Sequence, residues 1–372
     1  TYFIGKTGDP CKIAAVSLCG PIFSILSGLG TLLGSGGCTA VSLAFGKKEF
    51  DKIRAYSSMC CYGALTMGLI FTGAVLINAP AISDAIGANA DTMSDTCTYL
   101  RILAIGGPVI LFGNVFNNLI RADGSAKQSM LANGLGTYLL WYIAQKNRIF
   151  SLHIKDFSLK REIVFPVVTL GFPMACSTIL MSISHMVMNQ MLAGYGSVAV
   201  AANGVAGKVS MVVSMTAMGI CMGMQPAISY NCGAGNYKRL YWIIKKLGIM
   251  TVVVGSILTA GCVVGKTYLV AAFIDHAQVI ELGEKMVAVS MVIGPFYGLY
   301  QLCTTFLQST GKASYATLVA VLNKGLIYLP LLLIFNNLWG LNGVIYTAPV
   351  TDMLSLLVGA GLCIRWNRIM AL

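Results

Sequence analysis

The sequence predicts an all-α polytopic membrane protein built from two pseudo-symmetric lobes of six helices each. Composition gives the first reason: hydrophobic residues make up 56% of the 372 residues, charged residues make up 10%, and the mean hydropathy is +0.77. Such a chain has too little polar surface for a water-soluble domain of this length. The second reason is a tandem repeat, and the third is the distribution of basic residues among the loops.

The repeat is visible as small or helix-bending residues that recur at a fixed offset of 187 positions. The first copy has Ala14, Gly20, Ser27, Gly36, Gly46, Gly68, Gly107, Pro108 and Gly124, and the second has Ala201, Gly207, Ser214, Gly223, Gly233, Gly255, Gly294, Pro295 and Gly311. Because Gly and Pro set close helix approach and helix bends, the match indicates a duplicated helical bundle. Two such bundles can enclose a cleft that opens to either side of a membrane, as in transporters. A duplication that only enlarged a stable bundle is the alternative.

Long apolar runs predict the membrane spans. In chain order they are Cys11 to Phe45, Tyr56 to Asn78, Tyr99 to Leu119, Ile163 to Leu192, Val198 to Tyr230, Leu247 to Lys266, Lys285 to Leu307, Tyr315 to Phe335 and Gly343 to Cys363. Several exceed the roughly 20 residues that cross the hydrocarbon, so we expect tilted, kinked or protruding helices.

The repeat implies more spans than these runs supply. Counterparts of the last two spans should lie between about Ala126 and Cys176, but the basic linker that starts at Lys146 leaves room for about one crossing. We therefore expect that about 25 to 30 residues are absent near Thr137 and that a first helix precedes Thr1. The intact protein is then expected to have twelve spans, with the N-terminal lobe at residues 1–150 and the C-terminal lobe at residues 151–372.

Basic residues concentrate in alternate loops, such as Lys47 to Arg54, Lys146 to Arg161 and Lys238 to Lys246. By the positive-inside rule these loops and the C terminus face the cytoplasm, which predicts a multi-pass protein of the bacterial cytoplasmic membrane. The net charge of +12 is explained by these membrane anchors, so we expect no nucleic-acid partner.

Short stretches at fixed places in this layout carry a family resemblance. They are Tyr2-Phe3-Ile4-Gly5, Ala14 to Leu18 followed by Pro21, Ile120 to Gly124, Leu170-Gly171-Phe172-Pro173, and Gly223 to Asn231. Together they resemble the multidrug and toxic compound extrusion (MATE) family, closest to its MepA-like bacterial branch. The resemblance implies secondary active efflux of cationic or amphipathic drugs by alternating access, in exchange for inward H⁺ or Na⁺.

The resemblance also implies acidic coupling residues immediately before Thr1 and after Thr137, outside the sequence in hand. Coupling through the first lobe is therefore expected, with H⁺ and Na⁺ both open. We expect a monomer whose partners are the lipid bilayer and small-molecule drugs.

A polar stripe occupies one face of the predicted helix around Pro108 and recurs at the equivalent positions of the second copy. Its members are Asn114, Asn117, Asn118 and Arg121, and then Gln301, Thr304, Thr305 and Gln308. An unpaired amide in hydrocarbon costs several kcal/mol, so the stripe must face protein or water. It either bonds neighbouring helices or lines a substrate or cation cavity. The resemblance favours a cavity for the asparagines, and Tyr297 is a further cavity candidate. Gln225, just before the helix-bending Pro226, either takes part in gating or substrate contact or simply accompanies the bend.

Few charged residues lie deep in the spans, among them Lys208, Lys324 and Asp352. Lys324 and Asp352 are equally distant in sequence from a turn near Leu338, so an antiparallel hairpin puts them at one depth, about 20 Å into the membrane. We predict that their charged atoms approach within about 4 Å. The pair is either a buried bridge that holds the second lobe or part of proton or cation coupling.

His185 and Asn189, one turn apart on an apolar span, are secondary candidates for packing or proton relay. Catalytic, cofactor and metal sites are not predicted. The twelve cysteines include no C-x-x-C pair, and the sequence has no H-E-x-x-H, G-x-S-x-G or phosphate-binding loop. These absences disfavour an intramembrane protease and an ATP-driven pump, so we expect a protein that is not an enzyme.

Two rival functions stay open. A flippase or exporter for a lipid-linked precursor or polysaccharide, from a related superfamily, should line its cleft with Arg and Lys to hold phosphates. A channel or passive membrane receptor should show no coupling to an ion gradient.

Overall fold

The computed structural model describes residues 15–16, 18–88, 92–122, 154–273 and 277–371. In these ranges the regular secondary structure is helical, which confirms the predicted fold class. The segment from 126 to 144 and the break expected near Thr137 lie outside the described residues.

The long helices have the following bounds: α1 Gly20–Gly46, α2 Phe50–Ala85, α3 Met93–Ala122, α4 Arg161–Ala193, α5 Ser197–Gly233 and α6 Tyr237–Val264. The remaining ones are α7 Lys266–Ala271, α8 Ala277–Met291, α9 Gly294–Ser309, α10 Ala313–Val321, α11 Tyr328–Trp339 and α12 Leu341–Ala371. A π-helical segment, Leu322–Leu326, joins α10 to α11.

Eight helices or helix pairs in the described ranges are long and apolar enough to cross a membrane, or nine if α8 and α9 form one broken span with a bend of 50°. Each predicted apolar run corresponds to one of these spans. Large apolar side chains such as Ile77 and Val109 are exposed, as lipid-facing residues are. The protein is therefore a multi-span helical membrane protein.

The last hairpin turns at Gly340, two residues beyond the predicted position at Leu338. Gly340 has a φ of +57°, which a glycine adopts without the steric cost that a side chain brings. The helix therefore continues through Leu338 and stops at the glycine.

The chain divides into two compact units. Unit 1 contains Thr1–Ala44 and Glu49–Ser182, and unit 2 contains Phe45–Lys48 and Ile183–Leu372. The division falls inside α4, whereas residue 150 lies outside the described residues, so the domain boundary predicted there stays a prediction.

In unit 1, α1 and α4 cross with their backbones in contact. A methyl group at Gly36 would overlap the carbonyl oxygen of Val167, and one at Gly171 would overlap the carbonyl oxygen of Leu32. Glycine on both helices is what permits this approach. The repeat partner of Gly36, Gly223, has open space around it.

A second crossing occurs in both copies. A Cβ at Gly68 would lie 2.5 Å from Cα of Pro108, and a Cβ at the equivalent Gly255 would lie 3.0 Å from the carbonyl oxygen of Gly294. The repeated glycines therefore mark the place where a neighbouring helix carrying the Gly-Pro pair packs closely, once in each unit.

The end of α1 touches the end of α5 within unit 2. A methyl group at Gly46 would overlap the carbonyl oxygen of Tyr230 and come within 3.0 Å of the carbonyl carbon of Gly233, which is the repeat partner of Gly46. The rings of Phe45 and Tyr230 lie 5.7 Å apart at the same place. Residues 45–46 of α1 therefore pack against α5 within unit 2.

Candidate functional site

A charged and polar cluster in unit 2 joins the π-helical segment to α12. Lys324 Nζ lies 3.7 Å from Asp352 Oδ1, so the predicted approach of the two charges is confirmed. Asn323 Nδ2 donates a hydrogen bond of 2.7 Å to the same carboxylate oxygen. Two consecutive residues of one helix therefore reach a single oxygen of the other.

The local sequence explains how consecutive side chains converge. Ile327 donates its backbone N–H to the carbonyl of Leu322, five residues back, which is the wider spacing of a π turn. Gly325 lies inside the segment, and Pro330 follows it without an N–H to donate. Pro349, three residues before Asp352, interrupts the bonding of α12 in the same way. Segments of this kind often accompany functional sites.

Side chains from α4 support the segment. The buried Ser184 hydroxyl donates to the backbone carbonyl of Lys324. The Tyr328 hydroxyl donates to Met188 Sδ at 3.1 Å. These two bonds attach the backbone at Lys324 and the side chain of Tyr328 to α4. The Lys324 side chain has 21% of its surface exposed, and the Asp352 side chain has 13%.

Two oxygen atoms on residues close in sequence to the ion pair lack hydrogen-bond partners among the described residues. They are Asn323 Oδ1 and Ser355 Oγ, and both residues are fully buried. Asn323 contacts the Asp352 carboxylate through Nδ2, and Ser355 lies three residues after Asp352 on α12. Sequence reasoning missed both residues, although Asn323 was visible as a polar residue next to Lys324 in an apolar run.

Tyrosines of α9 lie near the cluster. Tyr297 is close enough to interact electrostatically with both Lys324 and Asp352, and Tyr300 with Asp352. The rings of Tyr297 and Tyr300 are 5.8 Å apart. Tyr297, predicted as a cavity residue, thus belongs to the same neighbourhood as the ion pair.

The first-copy stripe lies against α1. The Arg121 guanidinium donates to Asn118 Oδ1, and Asn118 Nδ2 donates to the Asn114 carbonyl at 2.7 Å. Asn118 is buried, and a Cβ at Gly34 would lie 2.7 Å from its Nδ2, so it packs at a helix crossing. Asn114 and Asn117 are half-buried. Their place in a substrate cavity stays a prediction.

The second-copy stripe is more enclosed. Gln301, Thr304 and Thr305 are buried, and Thr304 Oγ1 donates to the Gln301 carbonyl at 2.9 Å. Gln225, just before Pro226 in α5, is buried with 1% of its surface exposed. The Thr304 bond is made within α9 itself, so both the interhelical hydrogen bonding and the substrate role of this stripe stay predictions.

The secondary candidates do not form a single site together with the ion pair. Lys208, His185 and Asn189 are exposed, and Asn189 Oδ1 accepts a hydrogen bond of 3.2 Å from Asn203 Nδ2. His185 is within electrostatic range of Lys324. It is therefore the only one of these three for which the described contacts give a link to the cluster.

A sequence profile of the MatE family matches residues 1–144 and 173–334. The multidrug export protein MepA of Staphylococcus saprophyticus is 29% identical over 94% of this chain and 85% of its own length. MepA of Staphylococcus aureus strain MSSA476 is 30% identical over 95% of this chain and 85% of its own length.

Solved structures share the fold. An outward-facing multidrug resistance MATE family transporter of the MOP superfamily has a TM-score of 0.88 and 20% identity, covering 97% of this chain and 88% of that one. The Vibrio cholerae MATE transporter VcmN in its bent form has a TM-score of 0.88 and 15% identity, covering 99% of this chain and 91% of that one. At these identities the likeness is evidence of fold.

Proposed function

The chain belongs to the MatE family of multidrug efflux transporters, and we propose that it exports cationic and amphipathic compounds in exchange for H⁺ or Na⁺. The observation that carries the proposal is the duplicated bundle, with one glycine-proline helix crossing in each unit, in a chain related throughout its length to multidrug export proteins. Repeats of this kind allow alternating access by movement of one bundle against the other.

The contact at Gly46 lies within unit 2. It joins equivalent ends of α1 and α5, and the adjoining loops carry Lys47, Lys48, Lys238 and Arg239. By the positive-inside rule we place these loops in the cytoplasm.

The polar residues of the two stripes favour drugs over lipid phosphates. The stripes offer amides and hydroxyls, and their one basic member, Arg121, donates to Asn118. A flippase for phosphate-linked precursors needs basic side chains in its cleft. An uncoupled channel is distinguished from an antiporter by the experiment that follows.

The experiment measures uptake of ethidium into inverted membrane vesicles that contain the protein. We expect uptake when the vesicle interior is made more acidic, or higher in Na⁺, than the outside. Uptake should collapse when an ionophore removes that gradient. Uptake that follows only the ethidium gradient would refute antiport. Vesicles without the protein supply the background.

Two variants connect the transport assay to the structure. Gly46→Ala should lower coupled uptake several-fold, because its methyl group overlaps the carbonyl oxygen of Tyr230 at the end of α5, whereas Gly73→Ala adds a methyl group in open space and serves as the matched control. Asn117→Ala should lower uptake per folded molecule more than Thr304→Ala, its equivalent in the second copy. Equal loss of folded protein and uptake in Asn117→Ala would assign the stripe to helix packing.

A further inference from the structure

We propose that a cavity between α11 and α12 binds an anionic phospholipid, with an acyl chain along its apolar wall and the phosphate against Lys285 and Asn342. The inference goes beyond the proposed antiport and does not depend on it. It assigns a ligand to a part of unit 2 that lies outside the polar stripes and the ion pair.

The cavity has a volume of about 520 Å³, which is in the range of ligand-binding pockets. Two residues of α11 and three of α12 line it: Phe335, Trp339, Asn342, Tyr346 and Val350. Within each helix the lining residues are four apart, which puts them on one face. A methyl group at Gly343 would overlap the carbonyl oxygen of Phe335, so the two backbones touch beside the cavity. The cavity is therefore formed by the side chains of a closely packed hairpin.

The lining changes from polar to apolar along α12. Asn342 lies two residues after the hairpin turn at Gly340, and Val350 lies a further eight residues on, about 12 Å along the helix. Trp339, which is 57% exposed, and Tyr346 are of the residue types enriched where a membrane meets water. A molecule that matches this gradient has a polar head at Asn342 and a hydrocarbon chain that reaches Val350. Membrane lipids have this form.

Lys285 determines the charge of the head group. Its Nζ donates a hydrogen bond of 2.7 Å to Asn342 Oδ1, so the ammonium lies at the polar end of the cavity. The neighbouring Glu284 pairs with Lys266 at 3.4 Å, and among the described residues no carboxylate forms an ion pair with Lys285. The ammonium and the Asn342 amide N–H groups can donate to phosphate oxygens. A cationic drug is disfavoured here, because it would bring a second positive charge close to Lys285.

Binding is tested on the purified full chain in detergent with phosphatidylglycerol that carries bromine atoms on its acyl chains. Bromine quenches tryptophan fluorescence on contact, and Trp339 lines the cavity. The sequence has four tryptophans, so the triple variant Trp141→Phe, Trp242→Phe and Trp366→Phe keeps Trp339 as the only one. We expect saturable quenching by brominated phosphatidylglycerol and about fivefold weaker affinity for brominated phosphatidylcholine, whose head group has no net charge.

The chain with all four tryptophans supplies a second measurement. A ligand that binds the folded state raises the melting temperature. We expect saturable stabilisation by unbrominated phosphatidylglycerol, and none by inorganic phosphate, which lacks the acyl chain.

Two variants separate the contribution of the head group from that of the chain. Lys285→Gln should lower the affinity for phosphatidylglycerol about fivefold and leave that for phosphatidylcholine unchanged. Its matched control is Lys238→Gln, at an exposed lysine outside the cavity, which should change neither affinity. Val350→Phe should fill the apolar end and weaken the binding of both lipids about tenfold or more. Leu357→Phe, at a position of α12 that is 63% exposed and outside the cavity, should weaken neither.

Three outcomes would overturn the proposal. Equal affinities of the parent protein for the two lipids would remove the role of the anionic head group, and unaltered binding in Val350→Phe would place the acyl chain elsewhere. Stabilisation by inorganic phosphate equal to that by phosphatidylglycerol would assign a phosphate site without a lipid. The assays contain no drug and no ion gradient, so the lipid site can fail while antiport stands, and antiport can fail while the lipid site stands.

Discussion

The same Gly-Pro pair lies in a continuous helix in the first copy of the repeat and at a helix break in the second. Helix α3 runs without interruption through Gly107 and Pro108, whereas α8 ends at Met291 and α9 begins at Gly294 with a bend of 50°. A proline removes the hydrogen bond to the carbonyl four residues earlier, which is Ala104 in the first copy and Met291 in the second.

A threonine on the neighbouring helix has different hydrogen bonding in the two copies. Thr72 Oγ1 donates a hydrogen bond of 2.6 Å to the Ala104 carbonyl that Pro108 leaves free. The equivalent Thr259 Oγ1 is buried and has no hydrogen-bond partner among the described residues. In the first copy, the carbonyl freed by the proline accepts a hydrogen bond from the neighbouring helix, and α3 is continuous. In the second copy, the equivalent threonine makes no such bond among the described residues, and the helix is bent. Identical residues at a fixed offset mark equivalent positions without fixing equivalent geometry.

The largest expected difference between the copies is at Gly36 and Gly223. Gly36→Ala should destabilise the protein by about 3 kcal/mol or more, because the methyl group overlaps the Val167 backbone and neither helix can move without losing the crossing. Gly223→Ala should be neutral or gain up to about 1 kcal/mol from helix propensity, since its surroundings are open. Thermal unfolding of the purified variants measures both, and equal destabilisation would refute the assigned crossing.

A smaller difference is expected at the crossing that both copies share. Gly68→Ala should cost about 2 kcal/mol and Gly255→Ala about 1 kcal/mol, because the nearest backbone atoms are 2.5 Å and 3.0 Å from the added Cβ. The same unfolding assay applies, with Gly73→Ala as a control in open space. A larger cost at Gly255 would mean that the second crossing is the tighter one.

The smallest effect is expected at the threonines. Thr72→Val should cost about 1 kcal/mol, since it removes a hydrogen bond and leaves the Ala104 carbonyl unpaired. Thr259→Val should be neutral or slightly stabilising, because it removes a buried hydroxyl that has no partner among the described residues. If both variants lose the same stability, the comparison of the two proline sites is wrong.

The spans and the ion pair were predictable from sequence because they depend on local composition and helix length. Apolar runs located the helices, and counting residues from a turn placed Lys324 beside Asp352, even though the turn lies at Gly340 and not at Leu338. With the turn at Gly340, Lys324 lies 16 residues before it and Asp352 lies 12 after it, a difference of about 6 Å in depth that a long lysine side chain can span.

The finer features depend on contacts between distant residues. At the break before Gly294, Thr259 Oγ1 has no hydrogen-bond partner among the described residues, and the π turn at Leu322–Leu326 contacts Ser184 of α4 and Asp352 of α12. Neither leaves a periodic signal in the sequence. For the same reason the orphan oxygens of Asn323 and Ser355 became visible only once the helices were placed side by side.

The central claim, that this two-copy membrane protein is an ion-coupled drug antiporter, is tested most directly by reciprocity. Proteoliposomes are loaded with ethidium and diluted into drug-free buffer, with no initial gradient of pH or Na⁺, and internal pH and ²²Na⁺ uptake are recorded. The account predicts that outward drug flow drives H⁺ or Na⁺ inward against the gradient that develops. Drug release with no ion movement, or with ion movement in the same direction as the drug, would contradict it.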